Sequence, residues 1–347
     1  MSTNPAGFSC IRSELSVNPN KFQTRVLFAI GIAVAVGVVA HANYSHQSPT
    51  GMSDFDQVWI AANALRHGKD PYAAVNASGW PFPLYYPLTA AIVAMPYSML
   101  PIHWARVAFI ATGAGLLAWA LGSLPHRRWA FFSGAFLVAF LHVQWSPFIT
   151  GSVALPAFLA GVFLSAKPTI GLALAVAYLL PISRRTFWAT LGALMTFLAS
   201  LALRPSWPRE FLTYATQAPH IIAPVTLFPL GPLMLLAILR WKRSEARLLA
   251  AMAFVPHTIL AYEAIPLFLV PRTRKETLLL VLLADAVFAL EFALGPLQHP
   301  DPISLARRVR VSGQIILALL YVPCLVMVLR RPNVAAEPTF IPALGPD

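Results

Sequence analysis

The sequence predicts an all-α, polytopic integral membrane protein with about 11 to 12 transmembrane helices and helices lying on its outer surface. Three observations carry that prediction. Of 347 residues, 58% are hydrophobic and 11% are charged, against roughly 25% charged in soluble domains. Long apolar runs recur from residue 26 to residue 329, and short groups of Lys and Arg punctuate them. The mean hydropathy is +0.66.

Taken in order, the first element is a polar tail over 1–24, followed by the run 26–42, which ends in Ala40-His41-Ala42. That ending has the small-residue form of a signal-peptidase site, but the polar region before it is long for a signal peptide. An uncleaved first helix is expected. Further runs follow at 85–100, 104–124, 129–145, 152–166, 168–183, 186–203, 221–240, 245–270, 275–295 and 311–329. The positive-inside rule places Lys21/Arg25, Arg184/Arg185, Arg240/Lys242/Arg243, Arg272/Arg274/Lys275 and Arg330/Arg331 on the cytoplasmic side. Satisfying all five requires 245–270 to cross twice, bending outward at Pro256-His257. It leaves His126/Arg127/Arg128 and Arg307/Arg308/Arg310 outside, which the rule disfavours. The expected layout is one membrane domain over 25–331, outer loops at 43–84 and 204–220, and a second cytoplasmic tail at 332–347. The membrane is expected to be the plasma (inner) membrane, with the loops on its periplasmic side.

The net charge of +12 fits nucleic acid poorly, because the basic residues are divided among the gaps between apolar runs. Cys10 and Cys324 supply neither a disulfide framework nor a metal-binding cysteine pattern, and no His or Cys cluster asks for a metal. No glycine-rich phosphate loop occurs, and no cofactor is expected.

Two outer segments read as helices. Over 53–66, Phe55, Trp59, Ala62 and Leu65/Arg66 fall at helical spacing, with Ser53 at the start, Gly68 past the end and Pro71 beyond. Such a helix is expected to lie on the membrane, apolar face down. Over 204–220, Pro208 marks a helix start and Trp207, Phe211 and Tyr214 are interfacial aromatics. Both are candidate lids over an outer-facing site.

Asp54-Phe55-Asp56 has the D-x-D form in which two carboxylates share a divalent cation, while Ser53-x-x-Asp56 is equally a capping pair with a carboxylate in the first turn. Lys167 reads either as a phosphate ligand or as a lysine snorkelling from a span end, and His257 either as a phosphate ligand or as a helix-end hydrogen-bonding group. Asp285 lies well inside the run 275–295, with Glu291 six residues on. An ionisable residue at that depth marks a substrate or proton path, as in a transporter or flippase of lipid-linked sugars, or else a buried hydrogen bond to a neighbouring helix. A non-catalytic membrane subunit of a larger assembly is a third reading.

"SDFDQVWIAANALRHGKDPYAA" followed by "YYPLTAAIVAMPYSMLP" resembles the first outer loop of glycosyltransferase family 87, the polyprenyl-phosphate-mannose-dependent membrane transferases of the GT-C superfamily. The matching residues are Asp54-Phe55, Trp59, Ala62, Leu65, Gly68-Lys69-Asp70-Pro71-Tyr72 and Tyr85-Tyr86-Pro87. Weaker matches follow in order: Lys167-Pro168 at the family's Lys-Pro segment, and "FVPHTILAYEAIPLFLVP" at its Ser-Pro-His segment, with Val255 in place of Ser and Tyr262-Glu263 where Tyr-Asp is often found. Gly151-Ser152 stands where the family usually has Gly-Gln.

The resemblance implies a GT-C fold and an inverting sugar transfer from a polyprenyl-phosphate donor to a glycolipid or glycan acceptor. It implies Asp54 as catalytic base, with Lys167, His257, Tyr85, Tyr86, Asp56 and Glu263 binding substrate or donor phosphate.

Overall fold

The computed structural model describes residues 19–45, 53–216, 218–295 and 301–335. Cys10, most of the N-terminal tail and the end of the C-terminal tail lie outside them. Among the described residues the chain is helical throughout, and an isolated antiparallel bridge between Ile222 and His257 is the only β pairing. The helices are α1 (Pro19–Ser45), α2 (Asp54–Arg66), α3 (Pro71–Asn76), α4 (Leu88–Ala94), α5 (Ile102–Leu121), α6 (Gly134–Leu141), α7 (Trp145–Ser152), α8 (Ala157–Leu164), α9 (Pro168–Tyr178), α10 (Arg184–Leu203), α11 (Trp207–Ala215), α12 (Ser244–Phe254), α13 (Arg274–Ala293), α14 (Pro302–Ile316) and α15 (Val322–Leu329). Shorter 3₁₀ segments link several of them, and a π-helical segment at Leu317–Tyr321 makes α14 and α15 continuous.

Among the described residues, four helices are long and apolar enough to cross a bilayer: Phe22–Ser45, Ile102–Leu121, Arg184–Leu203 and Ile303–Leu329. The remaining apolar runs do not each form a full span. Helices α6, α7 and α8 have 8 residues each. At 1.5 Å per residue each rises about 12 Å, less than half of a hydrocarbon core of about 30 Å. Prolines divide the runs. Pro156 caps α8, Pro168 opens α9, and Pro256 follows the end of α12. A broken backbone of this kind survives at membrane depth only where protein surrounds it. Accordingly, α7 is buried at every position.

Tight contacts of small residues hold the helices together. A Cβ on Gly161 of α8 would stand 1.8 Å from the Ala189 carbonyl oxygen of α10, and one on Gly192 would stand 2.1 Å from that of Phe158. Only glycine lets these two backbones touch, the usual device where lipid offers no hydrophobic drive for association.

The basic groups converge at one end. Arg240 donates to the carbonyl of Arg331 (2.8 Å) and Arg243 to that of Pro332 (3.0 Å). Arg272 and Arg331 both pair with the buried Glu245. Arg247 donates to the carbonyls of Ala177 and Leu180, which brings the turn before Arg184 to the same end.

Arg127 joins this cluster, donating to the carbonyls of Leu269 (2.7 Å) and Pro271 (3.0 Å). That corrects the expectation that His126/Arg127/Arg128 lie opposite the other basic groups. The reason is the run 85–100. Its helix α4 has 7 residues and stays beside α2, with Trp59 Nε1 donating to the Leu100 carbonyl (3.2 Å) and Phe55 edge-on to Tyr97. It is too short to span, so the 3₁₀ segment that follows α5 meets the other basic groups rather than lying opposite them. Arg308 stays at the opposite end, donating to the carbonyls of Glu291 and Leu294.

Candidate functional site

Helix α2 starts where the sequence places it, with Ser53 as its N-cap in extended conformation. Asp56 at N3 accepts from the Ser53 amide (2.8 Å) and hydroxyl (2.7 Å), closing the capping pair. Its carboxylate also takes a bidentate contact from Arg106 of α5, whose guanidinium lies over the Tyr44 ring at 4.6 Å. Asp56 is thus fully engaged in fixing α2 to α1 and α5, and it does not face the cavity described below. The D-x-D pair therefore does not converge on one ion.

The apolar face of α2 likewise packs on protein rather than on a lipid surface. Phe55 is fully buried and stacks on Phe109 at 4.2 Å.

Asp70 caps α3 by accepting from the amides of Tyr72 (2.9 Å) and Ala73 (3.1 Å), after Gly68 turns the chain at φ +66°. Its second oxygen meets Arg204, which also pairs with Glu210 of α11. Tyr72 stacks against Tyr214, and Asn76 donates to the Tyr214 hydroxyl (3.2 Å). These contacts lock the two loops to each other.

Beneath them lies a cavity of about 500 Å³. Of the residues the sequence nominates, Asp54, Tyr85, Tyr86, Lys167 and Glu263 line it. Asp54, at the first position of α2, accepts a hydrogen bond at Oδ2 from the Gln144 side-chain amide. Burial pushes its carboxyl above the usual aspartate range, against the opposing pull of the Gln144 amide, His142 and Lys167. Lys167, at the break between α8 and α9, forms a buried ion pair with Glu263 and lies 5.8 Å from the Tyr86 ring centroid. An ammonium has three donors, so the pair leaves Lys167 with donors to spare. Glu263 Oε2, Gln57 Oε1, Thr169 Oγ1, Trp80 Nε1 and His220 Nδ1 are buried polar atoms of wall residues with no protein partner. Atoms of this kind are satisfied by solvent or by a bound polar molecule.

His257 does not reach the cavity wall. Its Nδ1 lies 2.8 Å from the Val255 carbonyl and its Nε2 3.2 Å from the Tyr321 hydroxyl, so it ties the break after α12 to the last helix. The pairing of Ile222 and His257 backbones fixes it there. Asp285 accepts from the Gly134 amide at 2.7 Å, capping the start of α6, and it too is away from the cavity.

Glu291, noted in the sequence beside Asp285, lines the cavity; sequence reasoning missed Gln144, Trp80, Phe82 and His220, which line it too. Gln144 carried a weak signal as a lone amide at the end of an apolar run. The others carried none, because their meeting depends on how the two loops dock.

No family model, no curated protein and no solved structure matches the chain.

Proposed function

We propose that the chain is a membrane glycosyltransferase that moves a hexosyl group from a polyprenyl-phosphate donor to a hydroxyl of a glycolipid or glycan, with inversion. The observation that carries this reading is the placement of Asp54. Its half-buried carboxylate lines the cavity, is oriented by Gln144, and shares the wall with the Lys167–Glu263 pair. The resemblance to glycosyltransferase family 87, in residues 53–87, supplies the donor class and mannose as the sugar.

The chemistry follows from these groups. The acceptor oxygen attacks the anomeric carbon, its proton passes to the Asp54 carboxylate, and the bond from that carbon to the phosphate oxygen breaks with its electron pair going to the phosphate. The raised basicity of Asp54 suits it to take the proton. Its negative charge also stabilises the oxocarbenium character of the transition state, as carboxylates do in glycoside hydrolysis. The departing phosphate gains charge and needs a cation rather than a strong acid, which Lys167 provides through the N–H groups not used by Glu263. Single displacement inverts the anomeric centre.

A lipid-linked donor reaches such a site sideways from the bilayer. The positive-inside rule, applied to the basic cluster as the cytoplasmic end, supports an outer-facing cavity.

The test is purified protein incubated with polyprenyl-phosphate-mannose and a crude lipid extract, read as a mass gain of one hexose. Wild type is expected to give it and Asp54→Asn to lose it with yield unchanged. Near-normal transfer by Asp54→Asn would sink the assignment.

A further inference from the structure

The rim of the cavity holds four rings that the mechanism above does not use. Trp80 and Phe82 lie 6.4 Å apart edge-on, Phe82 and His220 6.1 Å apart, and Tyr85 and His220 4.9 Å apart. Three belong to the first loop and His220 belongs to the second, so the group exists only because Asp70–Arg204 and Tyr72–Tyr214 hold the loops together.

We propose that Trp80, Phe82, Tyr85 and His220 form the stacking subsite for a pyranose ring of the acceptor, so that the hydroxyl presented to Asp54 belongs to a sugar. The proposal rests on the glycosyl-transfer reading and narrows its acceptor.

Three properties of the wall favour a sugar over a lipid alcohol, a protein hydroxyl or a second phosphate. First, Trp80, Phe82 and Tyr85 are half-buried, each keeping surface open beside the cavity that Asp54 lines. The negative π face of an aromatic ring attracts the weakly positive C–H face of a pyranose, which a linear alcohol lacks. Second, Trp80 Nε1 and His220 Nδ1 are buried without protein partners, and ring hydroxyls both donate and accept. Third, none of these four rings carries a cation. Burial pushes His220 down to about 4, so its imidazole is neutral at pH 7 and offers a phosphate no charge. The lysine of the cavity, Lys167, lies beside Tyr86 and is paired with Glu263. An interfacial aromatic belt would explain rings directed at headgroups. It does not explain rings lining the same cavity as Asp54.

The experiment uses the full chain in lipid nanodiscs, avoiding glycoside detergents, and saturation-transfer NMR with methyl α-mannoside, methyl α-glucoside, methyl β-galactoside and 1-butanol. At least one glycoside is expected to take up saturation on its ring C–H protons, and butanol is not. Trp80→Ala is expected to bind that glycoside about tenfold more weakly, while Trp80→Phe stays within about threefold, since it keeps a stacking face. Asp54→Asn is expected to bind like wild type. Melting curves check each variant, and Tyr85→Leu replaces Trp80→Ala if the latter does not fold. Absence of saturation on every glycoside, or wild-type affinity in Trp80→Ala, would overturn the subsite. Binding that persists in a protein showing no hexose transfer would instead overturn the transferase reading and leave the subsite standing.

Discussion

The side-chain amide of Gln144 donates to Oδ2 of Asp54, joining the start of α7 to the first turn of α2 across 90 residues of sequence. Neither residue's local sequence announces the other. The bond orients the carboxylate and lowers the cost of keeping it ionised away from water.

Replacing Gln144 by Leu removes that donor while keeping most of the volume. A hydrogen bond to a charged group contributes about 1.5–3 kcal/mol, so transfer is expected to fall roughly 10- to 100-fold. The melting temperature should hardly move. An unchanged turnover number in Gln144→Leu would show that the bond does not serve the reaction.

The pH dependence follows in sign from the burial of Asp54. A general base works only when deprotonated, and a raised pKa shifts its loss of activity to higher pH. The acid limb of kcat/KM is therefore expected above the ordinary aspartate value of about 3.9, with a tenfold fall per pH unit below it. Gln144→Leu should move that limb further up, because the amide stabilises the charged form. A profile flat down to pH 4 would remove Asp54 from the base role.

Lys167 and Glu263 are both buried, so removing either one strands a charge. Glu263→Gln or Lys167→Met is expected to destabilise the protein by about 3–5 kcal/mol, read as a fall in melting temperature. The double variant Lys167→Met/Glu263→Leu should recover much of that loss and still transfer poorly, since the phosphate has lost its cation. Equal stability of the single and double variants would mean that the pair is not coupled.

The side assignment of residue 123 is testable without activity. In a background with Cys10→Ser and Cys324→Ala, Lys69→Cys is expected to react with a membrane-impermeant maleimide in intact cells. Ser123→Cys should react only after permeabilisation. Labelling of both in intact cells would contradict the placement of α5 as the crossing between them.

Much around Asp54 was legible because its signals are local. The Ser53 cap, the 53–66 helix and the Gly68 turn each depend on residues within a few positions, and the structure forms them at those places. The Pro256 break is of the same kind. Asp56 was half legible: its cap with Ser53 is local, but Arg106 lies 50 residues on. Lys167 and Glu263 were singled out from their segments, yet nothing in either segment says that they pair across 96 residues. Of the two readings open for His257, the helix-end hydrogen bond is the one formed, and the sequence could not show its second partner, Tyr321, 64 residues on.

By itself the sequence determined the membrane character, the helical class, the start and stop of α2, and the acidic loop after the first apolar run, because hydropathy, proline and capping act within one turn or one run. Tertiary structure decided which apolar runs form helices long enough to span, because an apolar run of 8 residues buried by its neighbours has the same composition as part of a span. It also decided which charges are consumed and which face a cavity. A carboxylate held by Arg106 and one held by Gln144 stand two residues apart on the same helix, and only the packing of α5 and α7 against that helix separates a structural aspartate from a candidate base.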